Sequence, residues 1–217
     1  MLSASHDVIQ SIQLLHDISR LNSIPRCSEL HGNNIAIFGL SANPPTGYTG
    51  HIGIIKYLHD SGIFDEIWIL PVYLHIFNAK RCMESYVHRL NMLQLCVDAI
   101  VHDDIGITSD TTKIKHQCKL RVLKLEKAAS DYYHILNGDK FCVGTIDVLD
   151  YINMYYTSDI SSYATDHPSG NHNDVSNTKT SIAADEAVAP LPLKLNLILG
   201  MDTFIDFCSM KWKNADR

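Results

Sequence analysis

The sequence predicts an α/β domain built on a parallel sheet. Three observations in order along the chain carry this. Residues 34–39, Asn-Ile-Ala-Ile-Phe-Gly, form a short apolar run that ends in glycine and opens into a turn-rich stretch. Residues 51–58 follow with Ile52, Ile55 and Leu58 on one side of a helix, closed by Gly62. Residues 66–72, Glu-Ile-Trp-Ile-Leu-Pro-Val, are a second apolar run. Strand, loop, helix, strand is a βαβ unit, which implies parallel strands and a right-handed crossover.

The remaining elements follow from periodicity. Residues 5–21 place Val8, Ile9, Ile12, Leu15 and Ile18 at helical spacing, and Pro25 closes the segment. Residues 1–31 are therefore an N-terminal helical extension, packed on the domain or used in contacts between copies of a homo-oligomer; residues 32–217 form the main domain. A helix is expected over 84–99, with Val87, Leu90, Leu93 and Val97 in register. Another is expected near 116–129, and a third over 145–156 with Thr145 near its start. Residues 157–192 change character, being rich in Ser, Thr, Asp, Asn and Gly without apolar periodicity, and read as a polar insertion or mobile loop. A buried strand returns at 195–200, and a helix at 202–212 that Asp202 is able to cap. No internal repeat is present.

Bulk properties exclude several classes. The 217 residues suffice for one sizeable core. A formal net charge of -6 disfavours general nucleic-acid binding, which needs clustered Lys and Arg. Cys27, Cys82, Cys96, Cys118, Cys142 and Cys208 form no C-x-x-C pair, so a zinc ribbon or thioredoxin-type site is not expected, and their wide spacing argues against a disulfide scaffold. His75, His88 and the other histidines lack metal-ligand spacing. With no long apolar run and no secretory signal, the expected location is cytoplasmic or nuclear, away from membranes.

The chemistry concentrates in residues 38–51, Phe-Gly-Leu-Ser-Ala-Asn-Pro-Pro-Thr-Gly-Tyr-Thr-Gly-His. This stretch leaves the carboxyl end of the first strand and opens the first helix, the place where open α/β sheets bind ligands. Small residues let backbone approach a phosphate, and a helix N-terminus offers N–H groups and the positive end of its dipole. His51 at the helix start is placed to donate to a phosphate oxygen and stabilise charge growing there, and Thr46 adds a hydroxyl. A histidine that merely caps a helix, beside a glycine- and proline-rich turn, is the plainer reading of the same letters.

The segment resembles the nucleotidylyltransferase signature G-[GST]-[ST]-[FA]-[DN]-P-P-[HT]-x-G-H, in particular that of the nicotinamide/nicotinate mononucleotide adenylyltransferases. Gly39, Ser41, Asn43, Pro44, Pro45, Thr46, Gly50 and His51 match. Leu40 stands where a small residue is common, and Gly47-Tyr48-Thr49 puts three residues where the family has one. Further stretches are similar in the family's order. Residues 65–72 resemble its second strand, followed by a loop with Lys80. His88-Arg89-Leu90-Asn91-Met92-Leu93 is similar to H-R-x-x-M-L. Gly144-Thr145-Ile146-Asp147-Val148-Leu149 is similar to Y-T-[IV]-D-T-L, with Gly144 replacing Tyr. Leu199-Gly200-Met201-Asp202-Thr203, with Trp212 downstream, resembles its G-x-D strand end. The family's late S-[ST]-x-x-R segment is not supplied by residues 214–217, Asn-Ala-Asp-Arg. A truncated chain or a degenerate relative, with weakened ATP binding, is the expectation.

The resemblance implies a Rossmann-like doubly wound parallel sheet with helices on both faces. It also implies in-line attack of a mononucleotide 5′-phosphate on the α-phosphorus of ATP, with pyrophosphate leaving. His51, assisted by Thr46, would be the catalytic phosphate contact. Gly39, Leu40, Ser41, Ala42, Asn43 and Gly50 would cradle the nucleotide. Mg²⁺ would bridge the ATP phosphates, held largely by phosphate oxygens and water. Lys80 would meet a phosphate or remain solvated. Arg89 would touch substrate or serve as a structural ion-pair partner. Thr145 would meet the pyridine carboxamide or cap its helix. Gly200 and Asp202 would border the ribose, Asp202 alternatively capping. Trp212 would stack on substrate or lie in the core. Two other readings are a different nucleotidylyltransferase, such as a phosphopantetheine adenylyltransferase or a cytidylyltransferase, and a non-catalytic nucleotide-binding domain. The H-R-x-x-M-L and G-x-D stretches favour the pyridine branch over the former.

Overall fold

Strand β1 (Asn34–Leu40) is the axis of the sheet. Its side chains alternate: Ile35 and Ile37 enter one apolar layer, Ala36, Phe38 and Leu40 the other. Strand β2 (Glu66–Pro71) alternates likewise, sending Trp68 and Leu70 to the first layer and Ile67 and Ile69 to the second. Strands covered on both faces need apolar residues at every position, which is why both read as unbroken apolar runs. They pair in parallel from Ile35 beside Glu66 to Leu40 beside Pro71. β3 (Lys119–Val122) adds to β2 and β4 (Lys194–Ile198) to β1, both in parallel, giving the order β3-β2-β1-β4. The computed structural model describes residues 2–74, 82–107, 118–138, 141–166 and 192–211.

Helices cover both faces. α2 (His51–Ser61) and α3 (Tyr86–Ile107) close the second layer with Ile52, Ile55, Leu93, Val97 and Ile100. α2 ends as its sequence suggests, on Gly62 in the left-handed conformation at φ 63°. α1 (Leu2–Leu21), α4 (Leu125–Asn137) and α5 (Thr145–Asp166) close the first layer. The fold is a Rossmann-like α/β sheet, as predicted. Of the two roles open to the N-terminal helix, packing on the domain is observed. Leu15 and Ile18 are buried, Ser19 Oγ lies 2.6 Å from the Tyr151 hydroxyl, and Asn22 Nδ2 donates to Asp131 at 3.2 Å. Each such buried side chain is worth roughly 1.5–3 kcal/mol.

Three expectations are corrected. The helix expected near 116–129 is strand β3 followed by α4. The spacing of Leu120, Leu123 and Leu125 mimics a helix, but pairing with β2 and a buried charge override it. Glu66 is fully buried, and its carboxylate accepts from Arg121 Nε at 2.8 Å, Trp68 Nε1 at 2.8 Å and the His31 N–H at 2.6 Å, which pins Arg121 beside β2. α5 continues through 157–166, ten residues into the stretch read as an insertion; residues 167–191 of that stretch lie outside the described residues. The final helix, α6 (Met201–Cys208), starts one residue earlier than expected and is capped by Gly200, with Asp202 inside the first turn.

Candidate functional site

The chain runs from β1 outward to β2 and β3, then returns to β4 on the other side of β1. Strand order therefore reverses between β1 and β4, and the crevice beyond their carboxyl ends is where ligands sit in open α/β sheets. Phe38 pairs with Ile198, so Gly39, one residue on, and Gly200, two residues on along β4, both lie toward this crevice mouth. A Cβ added to Gly39 would meet nothing within 4 Å: the floor of the crevice is open there.

The turn after β1 is pinned from two directions. Asn43 Oδ1 accepts the Glu84 N–H at 2.9 Å, and the Ser41 carbonyl accepts from Arg89 at 2.9 Å. Between them Ala42 is fully buried in the left-handed region at φ 52°. A non-glycine residue held there costs roughly 1–3 kcal/mol, and such positions cluster at ligand sites. Leu40, the departure from a small residue, points into the second apolar layer rather than the crevice.

Thr46 and His51 form a closed pair. The Thr46 N–H donates to His51 Nδ1 at 3.1 Å, and the His51 N–H donates to Thr46 Oγ1 at 2.9 Å. Thr46 Oγ1 also lies 2.9 Å from His51 Nδ1. The Thr46 backbone N–H can only donate. Nδ1 is thus an acceptor, which leaves the imidazole proton on Nε2 as the ring's donor. Burial lowers the His51 imidazole below its ordinary value, so the ring is neutral at pH 7. A neutral Nε2–H donor is suited to a phosphate oxygen.

The helix N-terminus differs from expectation. Its first N–H groups are not open to a ligand. His51 N–H is taken by Thr46 Oγ1 and Ile52 N–H by the Thr46 carbonyl at 3.1 Å. The longer Gly47-Tyr48-Thr49 loop is the reason: it lets the chain turn back over the helix, with Gly50 N–H bonded to the Gly47 carbonyl at 2.8 Å. Two glycines make room. A Cβ on Gly50 would overlap the Thr46 side chain, and one on Gly53 would overlap the Tyr48 carbonyl. Sequence reasoning missed Gly53. A glycine in the first turn of a helix is costly, and that alone signals close approach.

Arg89 is not positioned as a ligand contact. Its side chain is 1% exposed and donates to four backbone carbonyls: Ser41, Val72 at 2.6 Å, Tyr73 at 3.4 Å and Glu84 at 3.0 Å. It clasps the turns that leave β1 and β2, with Tyr86 5.4 Å beneath the guanidinium. Thr145 opens α5 and shares no described contact with the Thr46–His51 pair; it is Asp147, one turn on, that accepts the Gly144 N–H at 2.8 Å. Asp202 is exposed just past β4, its Oδ1 2.8 Å from where a Gly200 Cβ would stand. Lys80 and Trp212 lie outside the described residues. No three His, Cys, Asp or Glu side chains gather as a metal site among the described residues, and no described helix is long and apolar enough to cross a membrane.

The parallel sheet with helices on both faces makes the chain a Rossmann-like α/β protein, a class in which ligands bind where strand order reverses. No family model matches it. Over 65 residues it is 35% identical to a protein of Myxococcus xanthus described as a probable nicotinate-nucleotide adenylyltransferase, a stretch of 30% of this chain and 32% of that one. The chain thus spans about a third of the length of this curated relative. It also resembles two solved structures of Plasmodium falciparum nicotinic acid mononucleotide adenylyltransferase, one complexed with NaAD and one with APC. Their TM-scores are 0.42 and 0.40 and their identities 17% and 16%, and each match covers 85% of this chain and 58% of the other.

Proposed function

We propose that the protein is a nucleotidyltransferase that joins AMP from ATP to nicotinate or nicotinamide mononucleotide and releases pyrophosphate. The observation that carries this is the Thr46–His51 pair at the opening of α2, with Nδ1 accepting the Thr46 N–H so that Nε2 is left as the ring's donor, beside the open floor at Gly39. The description of the Myxococcus xanthus relative as a probable nicotinate-nucleotide adenylyltransferase supports the same chemistry.

In this reading no side chain becomes a nucleophile. The mononucleotide phosphate attacks the α-phosphorus of ATP, and the protein contributes position and charge stabilisation. His51 Nε2–H donates to the phosphate in the transition state, while the Thr46 N–H keeps Nδ1 an acceptor. The Ser41–Asn43 turn holds the nucleotide, and Asp202 meets a ribose hydroxyl from the β4 side. Mg²⁺ would enter with ATP, held largely by phosphate oxygens and water, and would offset the charge of the triphosphate.

The test is dinucleotide formation from ATP, Mg²⁺ and each mononucleotide, in the wild type and in His51→Ala. Activity lost by His51→Ala with its fold intact supports the reading. A second reading, a nucleotide-binding domain without catalysis, is favoured by Thr46 filling the helix N-terminus. ATP binding without turnover in the wild type would select it.

A further inference from the structure

Glu126 lies in the first turn of α4, on the side of β2 away from the crevice mouth at β4, and it has no place in the reaction above. Its carboxylate accepts the Tyr73 N–H at 2.8 Å. The other face of that residue, the Tyr73 carbonyl, accepts from Arg89, whose same guanidinium holds Val72 and Ser41. A continuous series of contacts therefore runs from Glu126 through Tyr73 and Arg89 to the Ser41 turn at the nucleotide crevice.

We infer that Glu126 is a positioning residue: its negative charge, acting through Tyr73 and the Arg89 clasp, sets the Ser41 turn that receives the nucleotide. The inference rests on the reading of the crevice as a nucleotide site.

Charge is what gives the residue this role. Withdrawal from water pushes its carboxyl up to about 7, against the Tyr73 N–H bond and the Arg89 charge, which both favour the ionised form. The groups facing it are Arg89 and Tyr86 of α3 and the Tyr73 backbone. Beyond them on α4 itself, Lys127 and Asp131 are paired with each other, Lys127 lying 5.5 Å over the Tyr73 ring. The Tyr86 hydroxyl is buried and has no hydrogen-bond partner among the described residues. Ionised, Glu126 makes a charge-assisted bond to Tyr73 N–H and balances Arg89; protonated, it does neither well.

The sign of the stability effect separates this role from a merely structural one. The carboxyl is raised in the folded chain from an ordinary 4.5 to about 7, so its contribution to stability is full below 4.5 and is lost as pH rises through 7. Glu126→Gln, neutral and of the same shape, is therefore expected to melt higher than the wild type at pH 8. At the same pH it is expected to bind ATP with Mg²⁺ more weakly, by about fivefold, the low end of coupling between separate sites. Gain in melting temperature with loss of affinity is not what a purely structural residue gives.

The experiment is a pH titration from 5.5 to 8.5, roughly 1.5 units each side of the expected midpoint, following the Tyr73 and Ala42 amide shifts by NMR without ligand. The Ala42 N–H shares its peptide unit with the Ser41 carbonyl. Both are expected to titrate together near 7 in the wild type and to lose that transition in Glu126→Gln. A Tyr73 transition without one at Ala42 overturns the inference, as does a shared transition that survives in Glu126→Gln. Should the variant not fold, the wild-type titration alone decides. Failure of ATP to bind the wild type at every pH counts against the nucleotide reading, whereas the amide shifts judge Glu126 by themselves.

Discussion

The two walls of the crevice are built differently. On the β1 side the supports interlock: alternate side chains of β1 enter two apolar layers, the buried Arg89 clasps four carbonyls, and Gly50 and Gly53 admit a close-fitting loop. On the β4 side β4 has no buried position, and α6 has none either, with Met201, Phe204, Ile205 and Met210 exposed. The β1 wall can hold a donor in one place because its geometry is over-determined. The β4 wall, among the described residues, can contribute polar groups such as Asp202 but little rigidity. Precision in any chemistry here must come from the β1 side.

The largest expected effect tests that wall directly. Arg89→Met leaves four carbonyls without their donor, and at about 1–3 kcal/mol for each unpaired buried group the loss should reach at least about 3 kcal/mol in urea unfolding. A loss under about 1 kcal/mol would mean water replaces the clasp. His51→Ala should lower kcat for dinucleotide formation by about 10²–10³, as removal of one preorganised donor does, with the melting temperature little changed. Gly53→Ala sharpens the comparison through its sign. At an ordinary helical position the change stabilises by about 0.4–1 kcal/mol. Here the new Cβ overlaps the Tyr48 carbonyl, and a destabilisation of about 1–3 kcal/mol is expected. Smallest is Phe204→Ser on α6: at half exposure it should move stability by no more than about 0.5 kcal/mol. A larger loss would show that this wall is better supported than its exposed side chains indicate.

What was legible in the sequence follows the same division. β1, β2 and α2 were readable because they are buried on fixed periods and bounded by Gly39 and Gly62, and their bounds are close to those observed. β3 was not, because four residues of an edge strand carry no period and its partner, Glu66, lies 55 residues from Arg121 in sequence. Position at the crevice was legible for Ser41, Asn43, Thr46 and His51 because they share one short loop. The use of Arg89 was not: a guanidinium that binds carbonyls and one that binds substrate look alike in sequence. Nor was Glu126 visible, since its role depends on a backbone N–H contributed by Tyr73. Gly200 displaced Asp202 as the cap because the turn conformation, φ -69° and ψ 158°, supplies the helix start without a side-chain bond.

Thr46 at the head of α2 is a placeholder. It satisfies two donors of the helix, so any guest at the helix N-terminus would exchange partners rather than add one. A neutral guest would trade one ordinary hydrogen bond for another and gain almost nothing. An anion would gain charge-assisted bonds roughly twice as strong together with the attraction of the helix dipole. On the proposed reading the loop would therefore favour phosphate-bearing molecules over neutral hydroxyl-rich ones by charge, before any question of shape arises.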